Sequence, residues 1–405
     1  MVVTIDSAPS GAHPARPLPS LIPRMAEHST TIFGEMSSLA LATNSINLGQ
    51  GFPDTDGPDS VKAAAILAIT EGRGNQYPPA HGLPELREAI SAHQQRFYRL
   101  DIDPDTDVVV TTGASEALAA SLLAFIEPGD EVVMFSPWFD LYGADISLAG
   151  GTRVEVSLEG PAFRPDPERL RAAITGRTRI LLLNSPHNPT GSVFTHDELS
   201  AIAAIVAEFG LLVISDEAYE HLVFSGSTHI PFSTLPGMFE RTITIGSAGK
   251  SLSMTGWKVG WATGPRDLIA AVRVIRQHLS YVSGGPFQWA VAEGLALPDQ
   301  HWQQFAADME AQRDLLCDGL AALGMPTTVP QGTYFATTDI RPLGYADGWT
   351  FCRDLPHRAG VLAIPHEPFH DNKEAGKPYV RWAFCKRPAV LSEALERMTA
   401  ARLGS

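Results

Sequence analysis

Short apolar runs alternate with longer segments of mixed polarity through the middle of the chain. The apolar runs occupy residues 108–112, 179–184, 211–215 and 242–246. Short runs of this kind are typical of strands, and strands that alternate with helices are typical of a parallel sheet. We predict that these segments are parallel strands of one doubly wound sheet, joined by right-handed crossovers.

The segments between these runs have the composition of helices. The sequence GASEALAASLLAFI, which begins at Gly113, is rich in alanine and leucine, and both residues favour helix. A second helix is predicted after Thr195, because Thr195 and Glu198 have the spacing of a capping box. The turn at residues 128–130 ends this first strand–helix unit. This alternation predicts a large α/β domain over residues 56–297.

The alternation ends near Leu297. A helix rich in Gln, Ala and Leu follows, and after it come short strand-like segments such as YVRWAFC. We predict a smaller α+β domain formed by residues 23–55 together with 298–405. Residues 1–22 are rich in proline and are predicted to form a flexible arm.

Composition narrows the class of protein. Of 405 residues, 44% are hydrophobic and 19% are charged, which is typical of a globular enzyme. The formal charge of −15 disfavours a nucleic-acid or anionic membrane partner, and the longest uncharged apolar run is too short to span a bilayer. The N-terminus lacks the pattern of a secretory signal, and the three cysteines have no close pair. We therefore expect a cytoplasmic protein without a disulfide framework or a metal site.

Polar residues follow each predicted strand at the point where it ends. These segments are Gly113-Ala114-Ser115 and residues 184–191, 216–219 and 247–250. Ligands of a doubly wound sheet bind beyond the carboxyl ends of its strands. The sequence thus predicts one cleft lined by all of these segments.

The pairing of Lys250 with Asp216 indicates the chemistry of this cleft. A lysine that forms a Schiff base with a pyridine aldehyde needs a carboxylate that keeps the ring nitrogen protonated. Asp216 can supply this carboxylate, and its alternative is a helix N-cap at the end of a strand. The phosphate of such a cofactor would bind at the helix start formed by Ala114 and Ser115. Ser247 and Lys258 would add a hydroxyl and a cation, unless Lys258 is simply solvated.

Three further residues are candidates for the same cleft. Asn188 lies in the rigid loop SPHNPTG, and with Tyr219 it would donate hydrogen bonds to the phenolate oxygen of the cofactor. Their alternatives are a turn residue and a core aromatic. His187, in the same loop, is expected at the surface. Arg381 interrupts an apolar run, and its planar fork suits a substrate carboxylate, with an internal salt bridge as the alternative.

These segments, in this order, resemble the class I/II aminotransferases of fold type I, which depend on pyridoxal 5′-phosphate (PLP). The resemblance covers nearly the whole chain from Pro23. It is strongest to the kynurenine aminotransferase-like group and to the actinobacterial N-succinyldiaminopimelate aminotransferases. The motifs that carry it are NLGQGFPD, NQYPP, SPHNPTG, DEAYEHLVF, SAGKSLSMTGWKVGW, SYVSGGPFQ and VRWAFCK.

The resemblance implies roles for individual residues. Lys250 corresponds to the lysine that carries the cofactor, and Phe139 to the aromatic residue that stacks on its ring. The Gly51 backbone would assist Arg381 with the substrate carboxylate. Tyr77 is similar to the tyrosine that reaches the cofactor of a second subunit, which implies a homodimer. Tyr281 and Val282 occupy the place where related enzymes often have a phenylalanine and a histidine in the substrate pocket.

The implied fold is a mixed, mostly parallel sheet in a large domain, accompanied by the smaller α+β domain. The implied activity is ping-pong transamination between an L-amino acid and a 2-oxo acid such as 2-oxoglutarate. The donor is open among kynurenine, glutamine, methionine, aromatic amino acids and N-succinyl-LL-2,6-diaminopimelate. Two alternatives stand beside it: a cysteine-S-conjugate β-lyase, and the ligand-sensing domain of a transcription regulator, which would need a basic module ahead of Pro23.

Overall fold

A computed structural model of the chain describes residues 20–158 and 160–403. The predicted N-terminal arm therefore lies almost entirely outside the described residues. Within them, the helices are α1 (Ile32–Thr43), α2 (Asp59–Thr70), α3 (Pro84–Tyr98), α4 (Gly113–Phe125), α5 (Asp140–Ala149), α6 (Pro167–Ala173), α7 (His196–Phe209), α8 (Ala248–Ser251), α9 (Arg266–Leu279), α10 (Gly285–Leu295), α11 (Asp299–Ala322), α12 (Gly348–Ala359), α13 (Lys373–Gly376) and α14 (Pro388–Ala400).

The strands form three separate sheets. They are β1 (Ile46–Asn47), β2 (Val108–Thr111), β3 (Glu131–Ser136), β4 (Thr152–Ser157), β5 (Thr178–Asn184), β6 (Leu212–Asp216), β7 (Thr242–Ser247), β8 (Gly260–Thr263), β9 (Thr327–Thr328), β10 (Phe335–Asp339), β11 (Val361–Leu362), β12 (Ile364–Pro365) and β13 (Tyr379–Ala383). All four strands predicted from the apolar runs are present as β2, β5, β6 and β7.

A seven-stranded sheet with the order β2-β8-β7-β6-β5-β3-β4 forms the centre of the molecule. Adjacent strands pair in parallel, except that β8 runs antiparallel to both β2 and β7. The apolar runs gave no sign of β8. The expected α/β fold with a mixed, mostly parallel sheet is confirmed, and the exception is this one reversed strand.

Helices cover both faces of this sheet, which explains why its central strands are mostly apolar. In β3, Val132 and Met134 pack into one hydrophobic cluster with α4, α5 and α9. Val133 and Phe135 point to the opposite face and pack with α6 and α7. Side chains alternate between the two faces of a strand, so a strand covered on both sides has apolar residues at successive positions.

The capping box predicted for α7 is also confirmed. The Thr195 hydroxyl accepts a hydrogen bond from the Glu198 backbone N–H, and the Glu198 carboxylate accepts one from the Thr195 backbone N–H. These reciprocal bonds satisfy amide groups that have no partner within the helix. The helix therefore begins at His196, directly after the N-cap residue Thr195 that the sequence indicates.

A further hydrophobic cluster joins α1 to the C-terminal part of the chain. It contains Met36 and Leu48 from the first part, and Phe351, Trp382 and Leu391 from the last, all of them fully buried. The antiparallel sheet β12-β13-β10-β9 and the parallel pair β1-β11 lie here. On this basis we propose two domains. The large domain is formed by residues 56–297, and the small domain by residues 23–55 together with 298–405. None of the described helices is long and apolar enough to cross a membrane.

Candidate active site

A cavity of about 340 Å³ opens at the carboxyl edge of the seven-stranded sheet. Its volume lies within the range of small-molecule sites. The predicted residues that line it are Gly51, Gly113, Ala114, Ser115, Phe139, Asn188, Asp216, Tyr219, Ser247, Lys250, Lys258 and Arg381. Every segment that follows a predicted strand thus contributes to one cavity.

Lys250 lies in the short helix α8, directly after β7. Its ammonium group donates a hydrogen bond to the Tyr334 hydroxyl at 2.8 Å and lies 3.5 Å from the Gly51 carbonyl oxygen. Burial lowers the pKa of Lys250 to about 8, although Cys385 and Asp216 oppose this shift. An amine with this pKa is partly neutral near pH 7.5, so it can act as a nucleophile or a base.

Asp216 is the last residue of β6. Its carboxylate accepts hydrogen bonds from the Tyr142 hydroxyl at 2.7 Å and from the Ala218 backbone N–H at 3.1 Å. The bond from the Ala218 N–H is a local contact at the end of the strand, as expected for the structural role that was the alternative for Asp216. Asp216 makes this contact and also lines the cavity. Burial raises the pKa of this carboxyl group. A cation placed against it would favour its ionised form.

The start of α4 forms an anion cradle together with Lys258. Gly113 has a φ of 74°, and a Cβ atom at this position would lie 3.1 Å from Lys258 Nζ. Lys258 Nζ also lies 3.4 Å from the Ser115 hydroxyl, and Lys258 forms no ion pair with any described residue. An unpaired cation beside free backbone N–H groups at a helix start suits a phosphate group.

Arg381 lies in β13, and its side chain is fully buried. It donates hydrogen bonds to the Asn188 side-chain oxygen at 3.2 Å and to the Gly49 carbonyl oxygen at 2.8 Å, and Nε has no partner. The Phe335 ring centre lies 4.0 Å from the guanidinium carbon. Burial lowers the pKa of Arg381 to about 10. No carboxylate of the described chain pairs with it, so the internal salt bridge considered above is not found.

The loop SPHNPTG holds Asn188 in the cavity through its backbone. The Asn188 N–H donates to the Asn184 side-chain oxygen at 2.8 Å, while Asn184 donates to the Asp216 carbonyl oxygen. Tyr219 is buried beside the Tyr334 ring, and burial raises its pKa. The expected surface position of His187 is wrong, because its imidazole is buried and hydrogen-bonded to the Thr190 hydroxyl.

Two of the predicted residues lie outside the cavity of their own chain. The side chain of Tyr77 is exposed, and the Tyr281 side chain, with a left-handed backbone, contacts it at a ring distance of 5.3 Å. Gly51 lines the cavity, but its carbonyl oxygen accepts from Tyr334 and not from Arg381. The role of Tyr77 at a second subunit and the role of Tyr281 in the substrate pocket both stay predictions.

Two phenols of the site were missed by the sequence analysis. Tyr334 contacts both Lys250 and the Gly51 carbonyl, and Tyr142 orients Asp216 from α5. A tyrosine in an apolar stretch is the one available signal, because a buried hydroxyl needs a hydrogen-bond partner. That signal does not identify the partner, since Tyr142 and Asp216 are 74 positions apart.

The residues present fit PLP. A buried carboxylate without an ion-pair partner suits the protonated ring nitrogen, and the Lys258 cradle suits the phosphate. Lys250 presents an amine of lowered pKa between them, in the same cavity. The set therefore provides a complementary group for each reactive or charged part of this cofactor.

Comparison with known proteins agrees with this fit. The family described as Aminotransferase class I and II matches residues 43–398. A probable N-succinyldiaminopimelate aminotransferase of Mycobacterium tuberculosis is 47% identical, over 93% of this chain and 98% of that protein. A kynurenine–oxoglutarate transaminase of Dictyostelium discoideum is 36% identical, over 91% of this chain and 93% of its own.

A solved structure of the N-succinyldiaminopimelate aminotransferase from Mycobacterium tuberculosis has a TM-score of 0.92 to this chain. It covers 94% of this chain and 100% of the other, at 47% identity. The fold, the cavity and the sequence thus point to the same group of proteins. On these grounds the chain belongs to the class I and II aminotransferases, and it is a transaminase of fold type I that uses PLP.

Proposed function

We propose that this enzyme transfers an amino group from an L-amino acid to a 2-oxo acid such as 2-oxoglutarate by a ping-pong mechanism. The proposed donor is N-succinyl-LL-2,6-diaminopimelate, with kynurenine, glutamine, methionine and aromatic amino acids as the second group. The observation that carries the proposal is the buried guanidinium of Arg381, which lacks a carboxylate partner and lines the same cavity as Lys250. The donor follows from the 47% identity to the mycobacterial enzyme.

Arg381 would bind the carboxylate that amino acids and oxo acids share. Its hydrogen bonds to Asn188 and Gly49 fix the plane of the guanidinium, which makes the binding directional. The three rings around the guanidinium, those of Phe33, Phe335 and Phe369, exclude water from it. A charged hydrogen bond is stronger in such a setting than in water.

Lys250 would hold the cofactor and, once released from it, move a proton from the substrate Cα. Tyr334 and the Gly51 carbonyl oxygen position its amine, and burial keeps a fraction of the amine neutral. PLP supplies an aldehyde that captures the amino group and a ring that withdraws electrons from Cα. Asp216 would hold the ring nitrogen, Asn188 and Tyr219 the phenolate oxygen, Phe139 the ring face, and Ala114, Ser115, Ser247 and Lys258 the phosphate.

We also propose a homodimer in which Tyr77 and Tyr281 reach the cavity of the second subunit. Large apolar side chains are exposed on the helices that flank this pair: Ile66, Leu67 and Ile69 on α2, and Val274 and Leu279 on α9. Exposed apolar groups of this number are typical of a protein interface. A cytoplasmic location is part of the proposal, and all three cysteines are free and buried.

The central prediction concerns Lys250. Purified enzyme should absorb visible light because of its bound cofactor, and borohydride should remove this absorbance and add the mass of the reduced cofactor to the Lys250 peptide. Lys250→Ala should prevent the covalent attachment, so that no peptide gains the mass of the reduced cofactor. The matched control Lys258→Ala should keep the covalent attachment while retaining cofactor less tightly. A colourless wild-type protein after incubation with PLP would sink the proposal.

Arg381→Ala should raise KM for the amino acid while cofactor content stays unchanged. Hydrogen bonds to charged groups contribute about 1.5–3 kcal/mol, so we expect a loss in kcat/KM of roughly 10- to 150-fold. Steady-state kinetics with a fixed oxo acid measure this loss. Arg381→Lys keeps the charge without the fork and should give an intermediate value. An unaltered KM in both variants would place the carboxylate site elsewhere.

The lowered pKa of Lys250 predicts how cofactor capture depends on pH. The neutral amine is the nucleophile, and its fraction rises with pH through the pKa of about 8. Apoenzyme should therefore regain PLP absorbance faster between pH 7 and 9, with the half-maximal rate near the pKa.

The variant Tyr334→Phe tests the cause of this pH dependence. It removes a hydrogen-bond acceptor of the ammonium, which lowers the Lys250 pKa further and shifts the profile to lower pH. Tyr379→Phe is the control, since Tyr379 packs on Phe163 outside the cavity. If the wild-type apoenzyme regains PLP absorbance faster only near the ordinary lysine pKa, the amine of Lys250 is solvated and the prediction is wrong.

The dimer is tested by its mass and by Tyr77. Sedimentation should give twice the chain mass of 43.6 kDa. Tyr77→Ala should weaken cofactor retention although Tyr77 lies outside the cavity of its own chain, whereas Leu41→Ala, at another exposed apolar side chain, should not. A monomer that retains PLP equally well with and without Tyr77 contradicts this arrangement.

A further inference from the structure

A cluster of two imidazoles and a carboxylate lies outside the cavity, where the turn after β6 meets α3. His93 belongs to α3, and Glu220 and His221 follow Tyr219 directly in the chain. One ligand atom of each residue lies within 4.8 Å of the other two. His93 and Glu220 are buried, and His221 is half-buried. None of the three lines the cavity of Lys250.

The two imidazoles face each other through the same atom type. The Nε2 atoms of His93 and His221 are 2.6 Å apart, which is below the usual range of about 2.7–3.2 Å for hydrogen bonds donated by N–H. A neutral imidazole ring offers one nitrogen lone pair to a cation. Two imidazole nitrogens this close together, with a carboxylate oxygen within 4.8 Å of both, form a ligand set for a cation.

We propose that His93, His221 and Glu220 bind a divalent zinc ion through the two Nε2 atoms and one carboxylate oxygen. Two histidines and a glutamate are a donor set that zinc uses, with water as the fourth ligand. Imidazole donors disfavour magnesium and calcium, which prefer oxygen ligands. Zinc–nitrogen distances of about 2.0–2.1 Å in a tetrahedron separate two nitrogens by about 3.3 Å, so the pair must open by about 0.7 Å.

Surrounding groups hold these ligands in orientation. The Tyr98 hydroxyl lies against the Glu220 carboxylate. The His221 ring stacks on Trp302 at a ring distance of 4.1 Å. The Gln94 side-chain amide lies 3.5 Å from His93 Nδ1, close enough for its oxygen to accept the ring N–H after rotation of the amide. Supporting contacts of this kind are regular features of metal sites.

The position of the cluster defines what the ion would do. It would join the turn that begins at Asp216 and contains Tyr219 to α3, beside the first turn of α11, where Trp302 lies. The ion would therefore stabilise the turn that carries Asp216 and Tyr219 against α3, and it would not contact the substrate. Zinc should raise the unfolding temperature of the holoenzyme and leave kcat within about twofold.

Zinc titration of the holoenzyme tests this site. Untagged protein, freed of metal by a chelator and then dialysed, should bind one zinc ion per chain in calorimetry. His93→Gln and Glu220→Gln should each weaken binding by more than the roughly 10- to 100-fold that loss of a supporting residue causes. The control is His196→Gln, because His196 is an exposed histidine whose neighbours are Asp197 and Ser200 of its own helix. Equal affinity in wild type and His93→Gln would overturn the proposal.

Cobalt provides a second readout that needs no variant. Cobalt(II) in the same site should give the visible absorption bands of tetrahedral coordination, measured as a difference spectrum against the cofactor absorbance of the same sample. Zinc should displace these bands at one equivalent. Absence of the bands in wild-type protein that is folded and carries PLP would show that His93 and His221 form only an imidazole hydrogen bond. Both readouts are independent of transaminase activity, so they fail or succeed separately from the proposed function.

Discussion

Parallel pairing at the centre of the large sheet determines where the chemistry of this protein lies. In β5, β6 and β7 the register aligns Asn184 with Asp216 and Asp216 with Ile245, so these strands end at the same level. These strands are mostly apolar before their carboxyl ends, because helices cover both faces of the sheet. The first polar residues of each connection therefore emerge together at one edge. Lys250, four residues beyond Gly246, reaches the cavity only because of this alignment.

The cavity holds several charged groups that the described chain leaves without an ion-pair partner. Lys250, Lys258 and Arg381 are cations, and Asp216 is a buried carboxyl group. Burying a charge without a partner is unfavourable, and the raised pKa of Asp216 and the lowered pKa values of Lys250 and Arg381 are its signs. Binding of an anionic cofactor and an anionic substrate offsets this penalty. The site is thus built for ligands that carry carboxylate and phosphate groups.

Sequence patterns predicted the parts of the structure that depend on neighbouring residues. The strands β2, β5, β6 and β7 and the cap of α7 follow from local apolar runs and from the Thr195 and Glu198 spacing. Strand β8 was not predicted, because Gly260–Thr263 contains only two apolar side chains, Trp261 and Ala262, and therefore forms no apolar run. The resemblance to the aminotransferases predicted that Lys250 and Arg381 belong to one active site, although they are far apart in the sequence.

Contacts between distant residues were beyond the reach of local patterns. Tyr142 reaches Asp216 across 74 positions, and His93 meets His221 across 128. His187 illustrates the opposite error, since a histidine between two prolines suggests a surface loop, whereas packing between the large sheet and the C-terminal region buries it. Burial of a loop depends on the segments that cover it, and these lie far away in the sequence.

The aromatic surroundings of Arg381 separate recognition of a substrate from the choice among substrates. The guanidinium contacts Phe33, Phe335 and Phe369, which come from three distant parts of the chain, and it faces a group that every amino acid carries. The contact between Arg381 and the carboxylate does not depend on the side chain of the amino donor. Discrimination then falls to the rim of the cavity, and in the proposed dimer to Tyr281 of a second copy. Evolution could therefore replace the preferred donor by altering surface positions, while the inherited chemistry in the interior stays intact.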